Sequence, residues 1–181
     1  MSLAEQKGLI AELLYLYKRI GMGELPSIAV EGWIGPDGAD QDFFYSDGWH
    51  EIKATGASSI QVSISSIEQL DVNTKGELLV YRIDKSTPTN KSAVSLYSVV
   101  HNVMDVLESQ KTIDLFFLKL ASAGYIDVEE YKKDCFVVAS NKTYDVNDSF
   151  PRIRRADISD EITNCQYQLD LACLAPWEKK E

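Results

Sequence analysis

Apolar positions recur at helical spacing through the first twenty residues. Leu9, Leu13, Leu16 and Ile20 form one stripe, widened by Ile10, Leu14 and Tyr17. The pattern predicts a helix over residues 4–20, ended by Gly21 and Gly23. Residues 28–33 read as a strand, and Gly35-Pro36-Asp37-Gly38-Ala39-Asp40 reads as a loop. Residues 41–45 and 49–55 are β-favouring runs around Asp47-Gly48, a dipeptide that predicts a two-residue hairpin loop. From 59 to 65 the alternation is strict, with Ile60, Val62 and Ile64 on one face of a half-buried third strand. Ser66-Ile67-Glu68-Gln69 has capping-box form and predicts the start of a short helix. Further on, residues 77–84 read as a fourth strand and 92–107 as an amphipathic helix. A helix capped by Thr112 runs to Gly124, and residues 135–140 read as another strand. A β-rich tail follows, clearest at 166–171.

This order predicts an α/β (α+β) fold with a mixed central sheet flanked by helices. A length of 181 residues fits one domain, with a core over about 4–125 and a β-rich C-terminal extension over about 126–181. The opening Met1-Ser2-Leu3 reads as an expression leader, so the chain is expected to be a piece of a longer protein. A net charge of −10 disfavours a protein whose whole surface coats nucleic acid or anionic lipid. It leaves room for a local basic groove, or for a site whose charge a metal offsets. No run of about 18 apolar residues is present, so no membrane partner is expected. No export signal is read at the N-terminus. Cys135, Cys165 and Cys173 lack CxxC spacing and read as thiols of a reducing cytoplasm, the expected location. His50 and His101 are the only histidines and have no cysteine nearby, which disfavours zinc.

The hairpin carries the candidate chemistry. With Asp47-Gly48 as the loop, Ser46 faces Trp49, Phe44 faces Glu51 and Asp42 faces Lys53. Asp42, Glu51 and Lys53 then share one face, and His50 and Ile52 point the other way. A slip of one residue would remove Asp42 from the group. Two carboxylates and a lysine on a rigid hairpin suit metal-assisted phosphodiester hydrolysis. Asp42, Glu51 and the Ile52 backbone carbonyl offer hard oxygen ligands for Mg²⁺ or Mn²⁺. Lys53 can orient a water or stabilise charge on the phosphate. The Asp/Glu-x-Lys tripeptide alone is weak evidence. It occurs four times, at Glu5, Glu51, Glu130 and Glu178, where chance predicts about two. A plain cross-strand ion pair between Asp42 and Lys53 is the alternative.

Longer stretches add to this. Gly8-Leu9-Ile10-Ala11-Glu12-Leu13-Leu14, Val30-Glu31-Gly32-Trp33-Ile34-Gly35-Pro36-Asp37-Gly38, Asp42-Phe43-Phe44, Glu51-Ile52-Lys53-Ala54-Thr55 and the run from Val62 to Asp71 resemble a branch of the PD-(D/E)xK nuclease superfamily. The resemblance covers residues 4–75 closely, and Phe150-Pro151-Arg152-Ile153-Arg154-Arg155 more weakly. It implies a restriction-endonuclease-like core, a Mg²⁺- or Mn²⁺-dependent DNA endonuclease, and a bacterial restriction or phage-defence setting with other subunits as partners. It also implies roles: Asp42 as motif aspartate and metal ligand, Glu51 as second carboxylate, Lys53 as motif lysine. Glu12 would be the first-helix acid, and Gln69 a residue near the site. From the residues alone, a solvated helix flank is the favoured reading of Glu12, and a capping side chain is equally open for Gln69. The family motif's "PD" is also spelled by Pro36-Asp37, but the hairpin places Asp42, not Asp37 or Asp40, beside Lys53.

Arg152, Arg154 and Arg155 form the densest basic cluster. On a strand, Arg152 and Arg154 would share a face and grip phosphates, or else protect a sheet edge. Trp33 and Trp49 read as core. A catalytically silent DNA-binding or assembly module of the same fold is the alternative function.

Overall fold

A computed structural model describes residues 1–180. Helix α1 spans Leu3–Gly21. Ser2 and Glu5 form a capping box at its start, and Lys18 and Arg19 complement the dipole at its end. Leu9, Ile10, Leu13 and Leu16 of the predicted stripe are buried, but Tyr17 is exposed and Tyr15 is buried instead. The expected strand over 28–33 is instead helix α2, Pro26–Glu31. Proline at its first turn presets the helical φ. Six residues are too few for a helical period to show against the β-branched content.

Strands β1 (Phe43–Tyr45) and β2 (Gly48–Thr55) form the predicted hairpin, with Ser46 and Asp47 as its two loop residues. The register differs from expectation by two residues: Phe43 faces His50 and Phe44 faces Trp49. Gly48 explains the shift. Its φ of 134° and a Cβ position only 2.4 Å from the Lys75 carbonyl oxygen commit it to the first strand position. It packs there against the neighbouring strand and is not free to serve as a loop residue. A shift of two preserves side-chain parity, so Asp42, Glu51 and Lys53 remain on one face.

Strand β3 (Gln61–Ile64) does not join this sheet. It pairs antiparallel with β6 (Tyr167–Asp170). Val62 and Ile64 are buried, but Ile60 lies outside the strand and is 70% exposed. Ser66–Gln69, expected to open a helix, makes a single turn, in which Ile67 O accepts from Leu70 N and Asp71 N. Strand β4 (Gly76–Ser86) runs parallel to β2, and β5 (Cys135–Val146) runs antiparallel to β4. The four-stranded mixed sheet thus has the order β1-β2-β4-β5. Its fourth strand comes from beyond residue 125. Helix α3 (Leu96–Met104) is capped by Ser95. Helix α4 (Gln110–Ser122) is capped by Ser109, whose hydroxyl accepts from Thr112 N. Thr112 is therefore inside the helix and not its cap. No strand forms at 150–154, so the arginines do not alternate on a sheet edge.

Helices α1, α3 and α4 cover one face of the sheet around Leu13, Leu16, Phe43, Leu79, Val100 and Phe116. The β3–β6 pair covers part of the other face around Trp49, Val62, Ile64, Leu78, Val80 and Leu169. Along β2, His50 and Ile52 point to the helices, and Trp49, Glu51 and Lys53 to the opposite side. Among the described residues, no helix is long and apolar enough to cross a membrane.

Candidate active site

Asp42 sits one residue before β1 and is locked in place from two sides. Its carbonyl oxygen accepts from Ile34 N at 2.9 Å and Gly35 N at 3.0 Å. Its side-chain Oδ2 accepts from Ile52 N at 2.7 Å, between Glu51 and Lys53. The aspartate is thereby fastened to the strand that carries the other two motif residues. Glu51 is 1% exposed, and its Oε1 is 2.8 Å from the Lys53 ammonium. Its Oε2 is buried with no hydrogen-bond partner. Lys53 also donates to Gln69 Oε1 at 2.9 Å, and that oxygen accepts from Ser65 N at 2.9 Å. The turn after β3 therefore delivers Gln69 to the motif lysine. Gln41 ties the same turn to β1 by donating to the Glu68 carbonyl at 2.7 Å.

Glu12 reaches the group from α1. Its Oε2 accepts from the Trp33 indole Nε1 at 2.8 Å. Trp33 is fully buried, as expected of a core residue, but its indole also orients an acid. Burial, then the Asp42 charge, pushes Glu12 up to about 8. Burial pushes Asp42 up to about 6 against the pull of the Ile52 N–H and Lys53. Burial, with Asp42 beside it, holds Glu51 well above the ordinary carboxylate range. Three acids and one lysine thus form a single electrostatic unit in which burial and mutual repulsion favour protonated carboxyls, with one unpartnered carboxylate oxygen. That oxygen and the Asp42 and Glu12 carboxylates are the hard donors a divalent cation takes. They are not yet converged. No three His, Cys, Asp or Glu side chains among the described residues could hold an ion as they stand, and Lys53 occupies the other Glu51 oxygen.

Asp37 belongs elsewhere. Its Oδ2 accepts from the Lys119 ammonium at 2.7 Å. Lys119, only 4% exposed, also donates to the Trp33 carbonyl. This clamp, buried at its lysine and exposed at Asp37, holds the loop that grips both Asp42 and Glu12. Neither Lys119 nor Gln41 stood out in the sequence. A lysine in an amphipathic helix gives no local sign that it will be buried. Asp40 is exposed and has no resolved role. His50 faces away from the carboxylates, as expected. It lies 3.2 Å from Glu77 and 3.4 Å from Asp47.

The arginines are engaged. Arg152 is 4% exposed at its side chain, and it donates to the Leu70 and Val72 carbonyls. Arg154 pairs with Asp148 at 3.0 Å. Arg155 donates to the Ile162 carbonyl at 2.6 Å and reaches Glu68 at 3.5 Å. They brace the turn that carries Gln69 more directly than they present a phosphate-binding face.

A mixed four-stranded sheet flanked by helices, with an aspartate and a Glu-x-Lys strand bonded together at its edge, defines a restriction-endonuclease-like PD-(D/E)xK fold. The family model described as "Putative PD-(D/E)XK family member, (DUF4420)" matches residues 1–172, and the chain belongs to that family. Members of the PD-(D/E)xK family generally use divalent metals. No curated protein and no solved structure matches the chain.

Proposed function

We propose that the chain is a metal-dependent nuclease that hydrolyses phosphodiester bonds of DNA, working with other subunits of a bacterial restriction or defence system. One observation carries the reading: the Asp42 carboxylate accepts the backbone N–H between Glu51 and Lys53, so both acids and the lysine act at one place. Asp42 and Glu51, with Glu12 and the Ile52 carbonyl, would hold Mg²⁺ or Mn²⁺. Such an ion polarises a phosphate and lowers the pKa of water. Lys53, steadied by Gln69, is placed to orient the attacking water or to neutralise charge building on the phosphate. Trp33 fixes the Glu12 carboxylate by a single charge-assisted hydrogen bond.

The test has two arms. Calorimetry with Mn²⁺ is expected to show saturable binding that Asp42→Ala abolishes. Cleavage of a DNA panel is expected to vanish in Lys53→Ala while DNA binding persists. Binding that Asp42→Ala leaves unchanged would sink the metal assignment. The direct Lys53–Glu51 pair also favours a second reading, a silent DNA-binding or assembly module in which that pair is permanent. DNA binding with no cleavage under any divalent ion would select it.

A further inference from the structure

A polyanion docking at the carboxylate site meets an unfavourable field. The chain carries a net charge of −10. The three arginines expected to offset it are buried or paired. Affinity for nucleic acid at this site therefore needs a source other than these arginines.

The surface beside Asp42 offers one. Phe44 is 53% exposed although it lies in a strand of the central sheet. Its neighbours Phe43 and Tyr45 point into the helical core. Phe44 faces Trp49 across the hairpin, on the same side as Glu51. It follows Asp42 by two residues, roughly 7 Å along the strand. An open groove of about 530 Å³ runs along this edge, lined by Phe44, Ile34 and Ile28, with Glu31 and Ser46 among its polar walls. Ile34 is also the residue whose N–H holds the Asp42 carbonyl, which ties the groove wall to the segment that carries Asp42. Ile28 is 44% exposed, which leaves two apolar side chains open to water at one place.

We infer that this groove is a nucleobase subsite in which Phe44 stacks on a base whose phosphate lies over Asp42 and Glu51. The inference rests on the phosphodiesterase reading and narrows its substrate class. The substrate presents an unstacked base next to the scissile phosphate: a single strand, a frayed end or a distorted duplex step. Every base has a π-face, so stacking supplies affinity without sequence choice and without cations. Glu31 at the groove repels phosphate, so the base and not the backbone enters. The occupant is taken to be nucleic acid because Phe44 lies two residues from Asp42 on the Glu51 side of the hairpin.

Binding measured by fluorescence anisotropy in Ca²⁺ tests this. The probes are a labelled single-stranded oligodeoxythymidylate of about twelve nucleotides and a duplex of equal length. Phe44→Ala is expected to weaken the single-strand complex about 5- to 100-fold. The salt dependence should not change, because no phosphate contact is lost. Phe44→Trp is expected to retain affinity and to lose indole fluorescence on binding. Wild-type binding that Phe44→Ala leaves unchanged overturns the subsite, as does a preference for the duplex. A change in self-association without a change in DNA binding makes the groove a protein interface and also overturns it. A wild-type chain that binds neither probe overturns the phosphodiesterase reading along with the subsite.

Discussion

Glu12 illustrates how one side chain can trade stability for a charged site. Its carboxyl is raised from 4.5 to about 8 by burial first and by Asp42 second. A raised folded-state pKa means that the group's full contribution to stability is present below about 4.5 and is lost as pH rises through about 8. The native protein is therefore expected to lose stability across that window. Glu12→Gln keeps an oxygen for the Trp33 indole and never ionises. It is predicted to be more stable than wild type at pH 8, on the order of a few kcal/mol, with little difference at pH 4.5. Urea unfolding at the two pH values checks this. Equal stability at pH 8 would mean that the carboxylate is solvated. The same substitution should abolish cleavage if Glu12 serves the proposed chemistry. At this scale the motif residues were legible, because parity along a strand survives an error of two in register. The partners of those residues were not. Trp33 reads as core, and nothing local says that its indole faces an acid 21 positions earlier. Gln69 was flagged by resemblance, and its bond to Lys53 depends on a turn whose placement no local pattern encodes.

At the scale of elements, the site is held by pieces that look unrelated in sequence. Helix α4 contributes Lys119, which clamps Trp33 and Asp37, and Phe116, whose ring packs against Trp33. Lys119→Met keeps the methylene stem and removes the donors. It leaves a buried carbonyl unpaired and is predicted to cost about 2 kcal/mol, with Lys119→Arg closer to wild type. Thermal unfolding of both variants decides between this and a solvated lysine, which would cost nothing. The hairpin gives a second prediction. Gly48→Ala forces a Cβ into the Lys75 carbonyl at a φ of 134°. A loss of about 2 kcal/mol or more is expected, where a loop glycine would lose less than about 1. This position also shows why the register was misread. Asp-Gly marks a turn by local preference, but the glycine is required by contact with the chain entering β4, and tertiary packing moved the loop by one residue and the cross-strand pairing by two. The long amphipathic helices and strand β4 were readable because their period repeats over several turns. Helix α2 and strand β6 are too short to carry one, and β3's partner lies more than 100 residues away.

The whole molecule sets the behaviour of the acid cluster toward cations. Glu12 near about 8 is mostly protonated at pH 7, and Asp42 near about 6 is mostly ionised. A divalent cation that uses both must displace the Glu12 proton. Its affinity is therefore expected to rise by at least about tenfold per pH unit between pH 6 and 8, since the raised Glu51 carboxyl adds to the Glu12 proton. At pH 7 the binding enthalpy should differ between PIPES and Tris by at least one proton's worth of buffer ionisation, because Glu12 and Glu51 both give up protons to the cation. In Glu12→Gln the buffer dependence should fall by close to one proton, leaving the Glu51 share. The cation that discharges the cluster also removes its repulsion, so Mn²⁺ should raise the melting temperature more at pH 8 than at pH 6. A buffer dependence at pH 7 that Glu12→Gln leaves unchanged, with intact Asp42-dependent binding, would mean that the cation bypasses Glu12. The acid on α1 would then be a stability device around Trp33, and the chemistry would rest on the hairpin alone.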